Sequence, residues 1–501
     1  MSDKAQPSEQ PLENQNNNGN SSNTPSQEGS GSQNANARQD AASRLGTEPV
    51  GKLLLRFSLP AITGMIVNAL YNVVDRIFVG HGVGELALGG IALIMPVMTI
   101  FMAFAMLFGV GAANMISMRL GQGKREEAGN ALNHCFFMLI FLGLFMFIAG
   151  TIFMEPILSM LGAQEGSQAL EYGRSYLRII LMGTVFSMIG FGLSHCTRAQ
   201  GFPAVTMTGM ILGAVLNIIL DAIFIMGFNW GVEGAAYATI ISQAVSAAFF
   251  IRFIFSKKAV VKLRPAKIKP SRAIIFQIMS FGSAQFLLQF IMSGVQLLNN
   301  VSMGWYGAAA LGVANGGDIA LSGWSIIGSI AMFFFMPIFG INQGAQPILG
   351  FNYGAKNFHR VRSTYKRAVS VASLIGLTGF AVTMIFPYQL IGIFTHDTSA
   401  ALMEFTPRAM RIMFLMMPLN GFQIISANLF VVTGRPKITI FLSMLRQFLV
   451  LIPCILIFGR FWGLWGVITA APVADSFAFL ITATMMFFEL RKLKRQANPA
   501  S

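Results

Sequence analysis

Residues 204–228 read AVTMTGMILGAVLNIILDAIFIMGF, 25 residues with one charged side chain, Asp221. At 1.5 Å of rise per residue, such a helix crosses the ~30 Å hydrocarbon core of a bilayer. Eleven other stretches are comparably long and apolar: near 54–79, 86–117, 131–152, 173–197, 234–256, 273–302, 308–340, 365–388, 405–432, 436–459 and 464–489. The sequence therefore predicts an all-α integral membrane protein with twelve transmembrane helices. Composition agrees, since 54% of the 501 residues are hydrophobic and 11% are charged, whereas soluble domains carry about 25% charged residues.

Charge is distributed unevenly along the chain. Residues 1–49 hold six acidic side chains (Asp3, Glu9, Glu13, Glu28, Asp40, Glu48) against three basic ones (Lys4, Arg38, Arg44), so this stretch carries −3 and the rest of the chain +18, for a net +15. The first 49 residues are rich in Asn, Gln, Ser and Gly, a composition that reads as a disordered tail. That tail has no basic region followed by an apolar run, so a cleavable secretory signal is not expected. Alternate loops hold Arg119, Lys124, Arg125; Arg198; Lys257 to Arg272; Lys356 to Arg367; and Arg435, Lys437, with Arg491 to Arg495 in the C-terminal tail. The positive-inside rule places these loops and both termini in the cytoplasm of a multi-pass plasma-membrane (inner-membrane) protein. A basic pI would otherwise suggest nucleic acid; here the basic residues sort topology, and no nucleic-acid partner is expected. Cys135, Cys196 and Cys454 fall in apolar segments without CxxC spacing and read as buried thiols.

The chain also repeats itself. Gly84–Gly89 matches Gly307–Gly312, Leu120-Gly121 matches Leu349-Gly350, Gly201-Phe-Pro203 matches Gly434-Arg-Pro436, and Trp230-Gly-Val-Glu-Gly234 matches Trp462-Gly-Leu-Trp-Gly466. Four matches in order predict a duplicated six-helix unit; six spans return the chain to its starting side, so the repeats are parallel. The expected organisation is a tail at 1–49, an N-terminal lobe at 50–256, a basic linker at 257–272 with Pro265 and Pro270, a C-terminal lobe at 273–490 and a basic tail at 491–501.

Charges inside spans cost at least ~2.5–3.5 kcal/mol each, so they are the informative residues. Asp75, Asp221, Asp318 and Asp475 lie inside spans. Depth along the helices puts Asp75, Asp221, Asn217 one turn before it, and Thr239 at one level. Two carboxylates, an amide and a hydroxyl form an oxygen cage for a hard cation such as Na+, or a pair of like charges that bind protons. Arg446 and Asp475 reach similar depth and are expected either to pair for neutrality or to serve gating or substrate in the second half. Asp318, one turn from Asn315, is a further candidate. Pro60 removes a backbone bond in mid-helix and is expected to bend the first span. The 45 Phe and 31 Met residues suit lipid-facing and core packing, and would equally line an adaptable cavity. GxxxxGK[ST], HExxH, GxSxG and DDxxD motifs are absent, which disfavours an ATP-driven pump, a metallohydrolase or a prenyl-type transferase, and no enzymatic activity is expected.

Pro60, Tyr71-Asn72-Val-Val-Asp75, Phe78-Val79-Gly80, Gly109-x-Gly111, Arg119-Leu-Gly121-Gln-Gly123, Arg198-Ala-Gln-Gly201, Asn217-x-x-x-Asp221, Gly231-x-x-Gly234-Ala-Ala-x-Ala-Thr239 and Pro472-Val-Ala-Asp475 resemble the multidrug and toxic compound extrusion family, bacterial branch. The resemblance spans about residues 50–490. It implies two six-helix lobes in a V and a monomeric secondary antiporter without cofactor, exporting lipophilic, often cationic aromatic drugs as H+ or Na+ enters. It also implies that Asp75, Asn217, Asp221 and Thr239 form the first-lobe cation or proton site, linked to lobe closure through the bend at Pro60. Where many relatives carry Asn near the end of helix 4, this chain has Ser194-His195. A flippase for lipid-linked saccharides is the alternative, but it should prefer a cationic central cavity for pyrophosphate.

Overall fold

The structure, a computed structural model, describes residues 44–160, 168–263, 271–312, 316–393 and 400–497. Most of the Asn/Gln/Ser tail, much of the linker, Asn315 and the Asp318 side chain therefore lie outside the described residues. Among those described there is no strand. The first half comprises α1 (Val50–Gly82), α2 (Glu85–Gly121), α3 (Arg125–Ile152), α4 (Gln168–Ala199), α5 (Pro203–Asp221, continuing as a π-helix over Ala222–Gly227) and α6 (Gly231–Phe255). The second comprises α7 (Arg272–Ala310), α8 (Gly316–Gly354), α9 (Phe358–Ile385), α10 (Ala400–Val432), α11 (436–462, with a π-helix at Leu445–Leu451) and α12 (464–497).

Eleven continuous helical stretches are long and apolar enough to cross a membrane, and the last of them, Pro436–Ala497, has 62 residues. A straight helix of that length would run about 93 Å, three bilayer cores. Gly463 breaks it with φ 58° and ψ −136°, backbone open essentially only to glycine, and the chain reverses there, so twelve spans result. The boundary expected at 308–340 is corrected. Residues 308–310 complete α7, and α8 begins after Gly312 and runs on to Gly354. Hydropathy fades after Gly340 because Gln343, Gln346 and Asn352 are polar, yet the helix continues because each of these amides bonds within the protein.

The repeat is visible in backbone geometry. Gly201 and Gly434 both have positive φ (99° and 78°) ahead of Pro203 and Pro436, which open their helices. Gly231 and Gly463 sit at 59° and 58°. The first sequence match shifts, however: Gly84 (116°) breaks α1 from α2, and its counterpart is Gly312 (64°), not Gly307, which lies inside α7.

The halves meet through the same residues twice. A Cβ on Gly121 would strike the Phe351 carbonyl, and one on Gly354 would strike that of Met118; both pairs are related by an offset of 233, so the second sequence match shifts too, and the counterpart of Gly121 is Gly354, not Gly350. Likewise Gly344 and Gly340 of α8 receive Ser58 and Ile62 of α1, while Gly111 and Leu107 of α2 receive Ile278 and Gly282 of α7. Here α1 and α7 are related by 220 and α2 and α8 by 233. This pseudo-twofold crossing, not the hydropathy pattern, is what requires glycine at these positions: helix backbones touch.

These crossings all lie toward the end of the bundle that carries Lys124 and Lys356, the basic end. Hydrophobic clusters there cross between halves: one centred on α2, α3 and α4 includes Ile278 of α7, and another centred on α8, α9 and α10 includes Leu53, Leu54 and Phe57 of α1. The two clusters at the far end each stay within one half, the first drawn from residues between Val79 and Ala236, the second from residues between Val295 and Ala474. Joined cores at one end and separate cores at the other give the V.

Candidate functional site

The site forms at the far end of the first half, where α1, α4, α5 and α6 converge. Asp221 is the last α-helical residue of α5 before the π-helix at Ala222–Gly227. A π turn widens the helix and re-aims the side chains around it, and Asp221 is fully buried while Asn217, one turn earlier, is 2% exposed. Asp75 of α1 faces Asp221, the two carboxyls lying within hydrogen-bonding reach of each other. Asn217 Nδ2 donates to Thr239 Oγ1 of α6 at 3.4 Å, a long, weak bond. The structure thus brings together all four residues that the sequence nominates.

Four oxygens of this cluster are buried without a hydrogen-bond partner: Asp75 Oδ1, Asp221 Oδ1 and Oδ2, and Asn217 Oδ1. Buried polar atoms are normally satisfied, and two carboxylates in apolar surroundings are costly together. An oxygen-only donor set of this kind fits a proton shared between the carboxyls or a hard monovalent cation. Among the described residues no group of three or more His, Cys, Asp or Glu is arranged to hold a metal ion, so the amide and hydroxyl oxygens are integral to any such cage.

Sequence reasoning missed Tyr176 of α4, whose hydroxyl lies near Thr239 and whose ring is buried among the far-end cluster. The only signal for it was a tyrosine within a span. The Ser194-His195 departure lies elsewhere: nineteen residues beyond Tyr176 on α4, about 28 Å along the helix. His195 rests on Phe191 with ring centroids 4.8 Å apart and lines a small cavity with Ala113, Arg198 and Gln346.

That cavity marks a second feature missed in the sequence, because Arg198 reads there as loop charge. Arg198 is 3% exposed and its Nη1 donates to Gln343 Oε1 of α8; Gln343 in turn approaches Met65 Sδ of α1 at 3.5 Å. Gln346 Nε2 donates to Asn114 Oδ1 of α2 at 2.6 Å. These bonds tie the halves together at the basic end. Pro60 sits inside α1 between Ser58 and Ile62, the two residues that cross α8, so the weak point of α1 lies at the crossing itself.

In the second half, Arg446 Nε meets Asp475 Oδ1 at 2.5 Å, and Gln423 Nε2 donates to the Asp475 carbonyl at 2.8 Å. The repeat offsets place Val295, Val450, Cys454 and Ala471 opposite Asp75, Asn217, Asp221 and Thr239. The four-residue cluster therefore has no polar copy in the second half. Asp318 lies outside the residues whose side chains are described, as does its neighbour Asn315.

Comparison with known proteins accords with this geometry. The MatE family model matches residues 60–223 and again residues 284–457, one match in each half. The chain is 28% identical over 439 residues to the multidrug export protein MepA of Staphylococcus aureus (strain NCTC 8325 / PS 47), covering 88% of this chain and 94% of that protein. It is 25% identical over 442 residues to MepA of Staphylococcus saprophyticus, covering 87% and 94%. Among solved structures, an outward-facing multidrug resistance MATE family transporter of the MOP superfamily superposes with a TM-score of 0.83 at 27% identity, covering 91% of this chain and 99% of that one. A MOP superfamily transporter from Pyrococcus furiosus gives 0.83 at 27%, covering 91% and 98%. With both halves matched by one family model and the whole helical frame shared, the chain belongs to the MatE family of multidrug and toxic compound extrusion transporters.

Proposed function

We propose that the protein is a secondary active exporter of lipophilic, often cationic aromatic compounds, driven by entry of H+ or Na+ at Asp75, Asn217, Asp221 and Thr239. The observation that carries this reading is the pair of facing carboxyls, three of whose oxygens are buried without a partner, with the equally partnerless Asn217 Oδ1 beside them, at the open end of the V. The relatives described as multidrug export proteins support the substrate class. By the positive-inside rule the joined basic end is cytoplasmic and the chain spans a bacterial plasma membrane, so the first-half site faces outward, toward the side from which a coupling ion enters. The transporting units run over 50–256 and 273–490, joined by the linker at 257–272.

In this mechanism a proton or Na+ shared by Asp75 and Asp221 cancels one of their two negative charges and removes their repulsion. α1 then draws closer to α5 and α6. Because Pro60 lacks the N–H that would stiffen α1 at the crossing, this movement is absorbed near Ser58 and Ile62 and loosens the α1–α8 contact. The basic end opens as the far end closes, and compound and ion exchange sides. Export of preloaded ethidium from proteoliposomes, with an ion gradient imposed, tests the reading; an ethidium flux indifferent to every gradient would refute it.

A further inference from the structure

We propose that Arg446 is a docking point for the carboxylate of amphiphilic zwitterionic compounds, in the interior of the second half. Arg446 lies in the π-helix Leu445–Leu451 of α11, the only helical stretch of this kind among the described residues besides the one beside Asp221. Its Nε is held by Asp475, so only one edge of the guanidinium is used. The side chain of Asp475 is 7% exposed and that of Arg446 32%: the carboxylate is enclosed, and part of the Arg446 side chain is left uncovered by protein.

Phe441, Phe448 and Leu449, 45%, 50% and 52% exposed, lie five residues before, two after and three after Arg446 and mark the lipid side, the two phenylalanines on the face of the helix opposite Arg446. Arg446 projects the other way, into the half. Asp475 is itself anchored through its carbonyl by Gln423 of α10, so the guanidinium is carried on a fixed base. The repeat gives Gly213 and Gln243 at the matching positions of the first half, and the feature is therefore particular to this half.

A guanidinium presents a planar fork of donors that matches a carboxylate two bonds at a time. Once Nε is committed to Asp475, the Nη edge remains to accept a second carboxylate, and the enclosed setting strengthens such a bond relative to water. Simple ion pairing for neutrality, the alternative reading of the pair, would leave this edge without a task. The inference rests on the export reading for its substrate class, but it is tested by binding, which does not depend on transport.

The probes are rhodamine B, which carries a free carboxylate beside its cationic ring system, and its ethyl ester, which lacks that carboxylate. Binding of each to purified protein in nanodiscs is followed by fluorescence anisotropy for wild type, Arg446→Lys, and the neutral double variant Arg446→Gln with Asp475→Asn. The double variant leaves no unpaired buried charge, so folding is protected. Both variants are expected to lose about tenfold or more in affinity for rhodamine B while the ester is unaffected. Equal loss for both dyes, no loss for rhodamine B, or a wild type that binds neither would overturn the proposal. Ethidium efflux measured alongside reports on the export reading separately.

Discussion

Asp75 on α1 and Asp221 at the end of α5 bring their carboxyls within hydrogen-bonding reach in a pocket where three of their four oxygens are buried and accept no bond. This is an arrangement that folding alone does not favour, since like charges in a poorly hydrated site repel. Asp221→Asn should therefore do two things at once. It relieves the repulsion, so the purified protein keeps or gains thermal stability, and it removes the coupling group, so gradient-driven ethidium efflux falls to background. Function and stability moving in opposite directions is the expected signature of a site maintained for activity; a variant that transports normally contradicts it.

Tyr176 is buried beside Thr239 at the site. Tyr176→Phe removes one hydroxyl without changing the ring, so stability should change little. Efflux should slow several-fold without being abolished, because the carboxyls remain in place. Thermal melting and initial efflux rates on one preparation check both parts.

The basic end closes because glycines let backbones touch. Gly282→Val would drive a side chain into the Leu107 carbonyl, a backbone group that cannot step aside. The halves should then fail to close, and a reporter cysteine at Gln343→Cys should react with an impermeant maleimide from the basic side much faster than in the parent. Unchanged labelling would show that the crossing is not the gate.

Arg198 and Gln343 bond across the two halves near that crossing, and Arg198 is buried with no carboxylate bonded to it among the described residues. Gln343→Leu strips the guanidinium of its acceptor while leaving Gln346 and Asn114 joined. A hydrogen bond to a buried charge contributes about 1.5–3 kcal/mol, so the equilibrium should shift about tenfold or more toward the state open at the basic end. Double electron–electron resonance between spin labels on α2 and α8 at that end reads the populations.

Gly463 makes the turn between α11 and α12 at φ 58° and ψ −136°. Gly463→Ala forces a Cβ into that conformation at about 1–3 kcal/mol. Lower melting temperature with unaltered efflux per folded molecule is the expected result, since the turn is remote from the first-half site.

Much of this was legible in sequence because lipid makes composition speak. The span at 204–228 and the scarcity of acids within spans pointed directly to Asp75 and Asp221, and the helical period placed Asn217 beside Asp221. Depth alone brought Arg446 and Asp475 to one level and left pairing and a gating or substrate role both open; the contact itself is a structural finding. What stayed hidden depends on tertiary contact. Arg198 looked like loop charge because hydropathy cannot tell a loop from a buried helix end. The register of the first repeat slipped because Gly307 and Gly312 are both glycines, and only the positive φ of Gly312 reveals which one turns the chain. The end of α8 was set too early because Gln343, Gln346 and Asn352 look like loop residues until their partners across the interface are seen. Both π-helices went unread, as no spacing rule announces them.

In the proposed mechanism, ion entry at the Asp75–Asp221 pair drives export. Proteoliposomes loaded with ethidium, with sodium and pH gradients imposed independently, test it most directly in wild type, Asp75→Asn and Asp221→Asn. Efflux in wild type should follow one of the two gradients and vanish in both variants. Gradient-driven efflux that persists in Asp221→Asn would contradict the account.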